Sequence, residues 1–168
     1  SATPRLRAVD LGLLLGTGGG QNVLVRIENG IGRVMEIDYE SSTTFALRDA
    51  AAGQPWPDPM PFVVSVVSKV TTSDSLGHEY ITRYQYHDGY YDSEDRQFRG
   101  FARVEQIDLG DTNAPTLVTR SHFDTGRTLE VMKGKLRQLT AEQEDGRQFW
   151  AETTAWTTPP RVLMTGTN

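Results

Sequence analysis

Hydrophobic and polar positions alternate along most of this chain with a period of two, and almost no window shows the i, i+3, i+4, i+7 spacing of a surface helix. The β-branched runs at 23–27 and 32–39 flank Glu28-Asn29-Gly30-Ile31, where Asn-Gly tolerates positive φ at both positions, so the pattern predicts a first hairpin. Residues 44–53 read as a short helical turn. Four prolines in the eight residues 54–61 exclude a helix or a central strand and predict a linker or a wrapped edge segment. Residues 62–72 form the most hydrophobic strand, with Phe62, Val64, Val66 and Val70 expected on one face and Val63 and Val67 on the other. Beyond the turn at 73–77, Tyr80, Thr82, Tyr84 and Tyr86 share a face, which predicts a second hairpin. Further strands are expected at 98–107 and 116–123. A last pair, 135–142 with 148–156, turns at Glu144-Asp145-Gly146 and should set Gln148, Trp150, Glu152, Thr154 and Trp156 on one face.

Seven to nine strands and no helix longer than two turns define an all-β class, antiparallel hairpins in an extended or sandwich-like sheet. The organisation expected is a flexible N-terminal segment over 1–20 and one β-rich domain over 21–168, with 54–61 as a candidate sub-boundary. At 168 residues the chain can bury a real core. A net charge of -5, with no basic cluster, disfavours nucleic acid and anionic membranes as partners. Absence of cysteine removes disulfides, thiolate metal sites and a cysteine nucleophile. The longest apolar run, Leu11-Gly-Leu-Leu-Leu15, is far short of the ~20 residues of a membrane span and lacks the layout of a signal peptide. With no initiator Met and a strand-like run close to its last residue, the chain reads as a piece of a larger protein.

The most densely specified stretch is 84–104, which reads as a strand ending in a tight aromatic turn near Asp88-Gly89, followed by a strand opening on an Arg-Gly-Phe kink. Its candidate residues are Tyr84, Tyr86, Asp88, Gly89, Tyr90, Tyr91, Asp92, Arg96, Phe98, Arg99, Gly100, Phe101 and Arg103. Tyrosines at period two pack across strands; the open alternative is that Tyr80, Tyr84, Tyr86, Tyr90 and Tyr91, with Trp150 and Trp156, stack on sugar rings. Asp88, Asp92, Glu94 and Asp95 lack the alternation of an EF-hand loop, and their expected role is to pair with Arg96, Arg99 or Arg103. A glycine between Arg99 and Phe101 suggests a bulge. Gly16-Thr-Gly-Gly-Gly20 has no following Lys-Ser or Lys-Thr, which leaves a turn or linker in place of a phosphate loop. His78, His87 and His122 have no partner at metal-ligand spacing, and no serine sits in a Gly-x-Ser-x-Gly turn. Arg33, Ser41-Ser42-Thr43 and Glu142-Gln143-Glu144 follow the order of an arginine-specific ADP-ribosyltransferase, but Ser-Ser-Thr is not its Ser-Thr-Ser. The expectation is no catalytic residue, no metal and no cofactor.

The segment Tyr-x-Tyr-x-x-Gly-Tyr-Tyr-Asp at 84–92 with Arg-x-Phe-Arg-Gly-Phe at 96–101 resembles the B component of bacterial Tc insecticidal toxin complexes and the related SpvB-like, Rhs-associated proteins. Leu24-Val-Arg-Ile-Glu-Asn-Gly-Ile-Gly32, Ile37-Asp-Tyr-Glu-Ser-Ser-Thr43, Pro61-Phe-Val-Val-Ser-Val-Val-Ser-Lys-Val70 and Lys133-Gly-Lys-Leu136 follow the same family in order. Ala102 stands where the family has a second glycine. The resemblance implies a secreted or cell-surface bacterial protein. It places the region after an FG-GAP or VCBS-type β-propeller and before Rhs-like repeats, as part of a β-sheet shell enclosing a toxic C-terminal polypeptide. The implied partners are those neighbouring regions and other toxin-complex subunits, with no nucleic acid and no membrane insertion. The alternative of another class is a carbohydrate-binding β-sandwich for cell-surface attachment.

Overall fold

The computed structural model describes residues 23–156, so the N-terminal segment expected at 1–20 lies outside the described residues. Eight strands form one sheet in which every neighbour is also the next strand in sequence: β1 (Arg26–Glu28), β2 (Val34–Ser41), β3 (Ser65–Ser73), β4 (Glu79–Asp92), β5 (Gln97–Asp108), β6 (Leu117–Asp124), β7 (Lys135–Gln143) and β8 (Gln148–Thr153). All seven pairings are antiparallel. The expected all-β class is therefore present as one extended sheet; among the described residues no second sheet makes a sandwich.

Local chemistry explains the first reversal. Asn29 Oδ1 accepts hydrogen bonds from the amides of Ile31 (3.0 Å) and Arg33 (2.9 Å), and Gly30 and Gly32 take φ of 73° and 104°. Asn-Gly is in a hairpin turn as expected, but the loop runs over 29–33, so β2 starts at Val34.

The principal departure is the helix α1 (Ser42–Ala51), ten residues long where at most two turns were expected. Ser41 caps it, its Oγ accepting from the Thr44 amide at 3.2 Å. The sequence conceals this helix because it has no apolar stripe: Ser42 and Phe45 are buried, while Leu47 is 66% exposed. Alanines at 46, 50 and 51 supply propensity, and one aromatic anchors the element.

Helix α1 occupies a divergence in the sheet. β3 and β4 pair only from Lys69↔Arg83 to Ser73↔Glu79; beyond that, β3 continues beside β2 and β4 continues beside β5. Ser42 ties the helix to the lead-in of β3, its amide donating to the Val64 carbonyl (2.7 Å) and its Oγ accepting from the Val64 amide (3.0 Å). Phe45 meets the Tyr86 ring of β4 edge-on at 5.4 Å. Phe62 and Val63, expected in the hydrophobic strand, precede it and are exposed.

Bulges account for the remaining corrections. Ser68 is an extra residue opposite the Asp38–Tyr39 step, which shifts the alternation by one and puts Val66 and Val70 on opposite faces. Phe149 is extra opposite Ala141–Glu142, so Gln148 and Trp150 do not share a face. The same device recurs at Arg137 between β6 and β7. A period-two reading cannot register an inserted residue.

Burial is sparse. Among the described residues Phe45, Val118 and Ala141 are the buried apolar side chains, and every residue of edge strand β8 is exposed. Phe45 is 3% exposed and packs edge-on against Tyr86, so Phe45→Ala should lower the unfolding free energy by about 3 kcal/mol in urea titration, and a smaller loss than ~1 kcal/mol would show that the helix does not depend on this contact.

Candidate functional site

The sheet and its loops converge on the β4–β5 hairpin. β4 runs unbroken through Asp88-Gly89, so the aromatic turn expected there is strand, with Asp88 held at φ 53°. The chain reverses instead over 93–96. Asp92 Oδ1 accepts from the amides of Glu94 (2.9 Å) and Asp95 (3.1 Å), and Arg96 closes the turn at φ 53°. Arg99 and Gly100 together face Tyr90, which makes the Arg-Gly-Phe segment a bulge. Gly100 is required by its φ of 93°, since a Cβ there would meet nothing within 4 Å. Gly89 is required by space: a Cβ would lie 2.7 Å from Trp56 Cζ3, 2.9 Å from Met60 Sδ and 3.2 Å from Phe101 Cε1.

An aromatic cluster covers this surface. Phe101 packs on Tyr86 (4.9 Å), Phe98 (5.4 Å) and Trp56 (5.9 Å), and Phe62 packs on Tyr91 (5.2 Å) and Phe98 (6.3 Å). Trp56, Met60 and Phe62 belong to the Pro-rich segment and its exit, which crosses the hairpin as a strap. Burial pushes the Tyr86 phenol up to about 12 and raises that of Tyr84, to which the Asp108 charge adds. Tyr90 lies beneath the Arg127 guanidinium (4.6 Å), while Tyr80 is exposed. Trp150 is on β8, four strand spacings or roughly 19 Å from β4. Tyrosines and tryptophans therefore do not form one stacking platform.

Of the three arginines, Arg99 is the one that pairs with the acidic turn. Its side chain is 2% exposed, and its Nη2 contacts Asp92 (2.9 Å), Asp95 and, from the β6–β7 loop, Glu130 (3.7 Å). The same loop brings Gly126 against Arg99 Nη1, Lys133 Nζ onto Gln97 Oε1 (2.6 Å) and Arg127 onto Asp58 of the strap (2.5 Å). Arg103 instead faces Glu105 (3.6 Å), which also meets Arg120 (3.1 Å). Arg120 reaches on to Glu142. Asp88 and Arg96 make no ion pair among the described residues. Amides of Asp95 and Glu94, with Arg99, hold the Asp92 carboxyl below its ordinary value of 3.8.

Sequence reasoning missed a buried polar joint. His87 Nδ1 lies 2.8 and 2.9 Å from the two Asp49 oxygens, and Asp49 Oδ2 also accepts from Trp56 Nε1 at 2.6 Å. One carboxylate thus links β4, α1 and the strap. Its partners are 38 and 7 residues away, and no local motif marks it.

Neither the calcium nor the transferase constellation assembles. Asp92 and Asp95 close on a guanidinium, and the described residues contain no group of three or more His, Asp or Glu side chains arranged for a metal. Ser41 caps α1, Glu142 pairs with Arg120, and their strands are five spacings apart, roughly 24 Å.

A family model described as the insecticide toxin TcdB middle/N-terminal region matches residues 17–131, more than half of the chain. Among solved structures, a Photorhabdus luminescens Tc holotoxin pore carrying a TccC3 mutation is similar over 72% of this chain at 21% identity, with a TM-score of 0.67. A TcdB2-TccC3 crystal structure is similar over 71% at 21% identity, with a TM-score of 0.62. The chain spans 8% of the length of each. At that identity the likeness is one of fold. No curated protein matches the chain.

Two glycine substitutions separate the two causes. Gly100→Val should cost more than ~1 kcal/mol through backbone strain alone, and Gly89→Ala about 1–3 kcal/mol through overpacking against Trp56 and Met60. Equal melting of either variant and the parent chain would remove the corresponding cause. A pH series tests the interior charge ladder. Burial first, then Arg103 and Arg120 against the opposing Glu105, lower the His122 pKa from 6.5. The unfolded chain then binds that proton more readily, so the His122 contribution to stability is intact above 6.5 and is lost as pH falls below it. His122→Gln should flatten the stability slope between pH 7 and about 5; an unchanged slope would assign it elsewhere.

Proposed function

The chain belongs to the family of the insecticide toxin TcdB middle/N-terminal region, and from that premise we propose that it is a non-catalytic segment of the β-sheet shell that encloses and delivers a toxic C-terminal polypeptide. The observation that carries this reading is the sheet itself. Among the described residues it is a single layer whose outer strands β1 and β8 each pair on one side, with β8 exposed along its length and very few buried apolar side chains. Such a layer gains its missing burial by continuing into neighbouring sheet, and an uncovered edge is otherwise a template for aggregation. The best-ordered chemistry in the chain is spent on packing: Gly89, Gly100, the aromatic cluster and the Arg99 joint fix the shape of one hairpin. The charge ladder His87, Glu105, Arg103, Arg120 and Glu142 is arranged as cross-strand pairs, with no nucleophile beside a base.

The resemblance supplies the rest of the proposal. The segment sits between a β-propeller and Rhs-like repeats of its parent and works with other toxin-complex subunits in a secreted or cell-surface assembly. Carbohydrate binding is the second reading, and the exposed Tyr80, Phe149 and Trp150 are the side chains it would use.

Protection of the cargo tests the proposal. In the full-length parent, co-expressed with the component carrying the toxic polypeptide, Gly89→Trp should disrupt the hairpin and make the enclosed polypeptide cleavable by added protease. Full protection in that variant, once exchange or melting shows the hairpin is disrupted, would refute a role in enclosure.

A further inference from the structure

β3 and β4 part at the rung Lys69↔Arg83, and the opening beside that rung is a cleft of about 500 Å³ walled by β2, α1, β3 and β4. Small-molecule sites occupy roughly 300–1,000 Å³. Cross-strand register sets three charges in a row at its mouth, Asp38 opposite Lys69 and Lys69 opposite Arg83. Lys69 Nζ pairs with Asp38 at 2.6 Å, on the side away from Arg83. Arg83 is exposed and makes no ion pair among the described residues. Two cations directly opposite each other on a sheet are destabilising, and nothing in the row lies between these two.

From α1, Arg48 adds a third cation to the cleft and pairs with Glu40 at 2.8 Å. Three cations against the two carboxylates make the cleft locally positive in a chain whose net charge is -5. Both ion pairs join half-exposed side chains, so they contribute little to stability and open to a ligand at small cost. An anionic group between Lys69 and Arg83 relieves the repulsion there, and the planar Arg83 guanidinium matches a carboxylate in two-point contact. The rest of the lining selects among anions. Tyr39 and Tyr84 supply aromatic carbon, while Gln85 and the two ion pairs supply donors beside acceptors. Phosphate has no apolar face to set against a phenol ring. A pyranose ring has one, and its vicinal hydroxyls match neighbouring donors and acceptors.

We propose that the cleft at the β3–β4 divergence binds an acidic monosaccharide of the hexuronate class, its carboxylate between Arg83 and Lys69 and its ring against Tyr84. Arg83 determines the preference for an acidic over a neutral sugar. The site is separate from the exposed Tyr80, Phe149 and Trp150, and it is independent of the delivery reading because its chemistry is complete within this chain whatever the sheet encloses.

Glucuronate is the probe. Titrated at constant ionic strength into the isotopically labelled 168-residue chain, it should shift the amides of Arg48, Lys69, Arg83 and Gln85 saturably, with a dissociation constant of order millimolar. Glucose, acetate and an acidic dipeptide should each bind at least tenfold more weakly. Glucose binding as tightly would remove the cations from recognition, and acetate or the dipeptide binding as tightly would make the cleft a general carboxylate site. Either result overturns the proposal, as does a response that is absent or confined to amides remote from the cleft. Arg83→Gln provides a second readout. It removes one of two like charges, so the unliganded variant should melt no lower than the parent chain while its affinity for glucuronate falls at least tenfold. A lower melting temperature would mean that Arg83 already has a partner, and undiminished affinity would place the carboxylate elsewhere; each overturns the assignment.

Discussion

Close packing over Gly89 is the constraint on which the rest of the structure depends. Trp56 and Met60 can lie on β4 only where no Cβ intervenes, and Phe101 fills the same space from the neighbouring strand. Once the strap is seated there, Trp56 reaches Asp49 and Asp49 reaches His87, which fixes α1 across the divergence of β3 from β4. From the strap's other side, Asp58 holds Arg127 and with it the β6–β7 loop, whose Glu130 completes the charge around Arg99. Three segments distant in sequence, the strap, α1 and the β6–β7 loop, are thereby bound to one hairpin.

The physical character of this arrangement bears on its role. Most of the sheet has half-exposed faces; the aromatic cluster gathers at the hairpin and its strap, Val118 and Ala141 are buried on β6 and β7, and β8 is exposed. A buried guanidinium with three carboxylates contributes little net stability, because its desolvation offsets the attraction, but it penalises any geometry in which the pairs part. A specific shape at the central hairpin, with edge strands β1 and β8 each paired on one side among the described residues, is what a building segment of a larger sheet needs. A soluble binding module would close its edges or twist them away.

Much of the fold was legible in the sequence because local signals carried it: alternating positions for the strands, Asn29-Gly30 for the first turn, the Arg99-Gly100-Phe101 bulge for the hairpin. Illegible features depended on distant partners or on register. The strand faces failed at Ser68 and Phe149, where one inserted residue reverses the alternation. Helix α1 was underestimated because it buries only two side chains, and Asp88-Gly89 was misread as a turn because Asp-Gly has the same composition in a turn as beneath a tryptophan. Of the candidate motif, Gly89, Tyr86, Tyr91, Phe98, Arg99 and Phe101 lie in or against the packed centre, and Gly100 serves the bulge through its positive φ. Arg96 and Arg103 do not reach the acidic turn, and no residue spacing could have distinguished them from Arg99. Asp49 and His87 had no signal in the sequence, since only the tertiary fold makes them neighbours.

Hydrogen exchange on the full-length parent protein tests the central claim most directly. If the chain is one segment of a continuous shell, the amides of Gln148–Thr153 that do not bond to β7 are paired to the next strand and exchange slowly, at rates comparable to those of the β4–β5 hairpin. Rapid exchange of those amides, with the hairpin protected, would mean that the sheet ends at β8 and would contradict the shell.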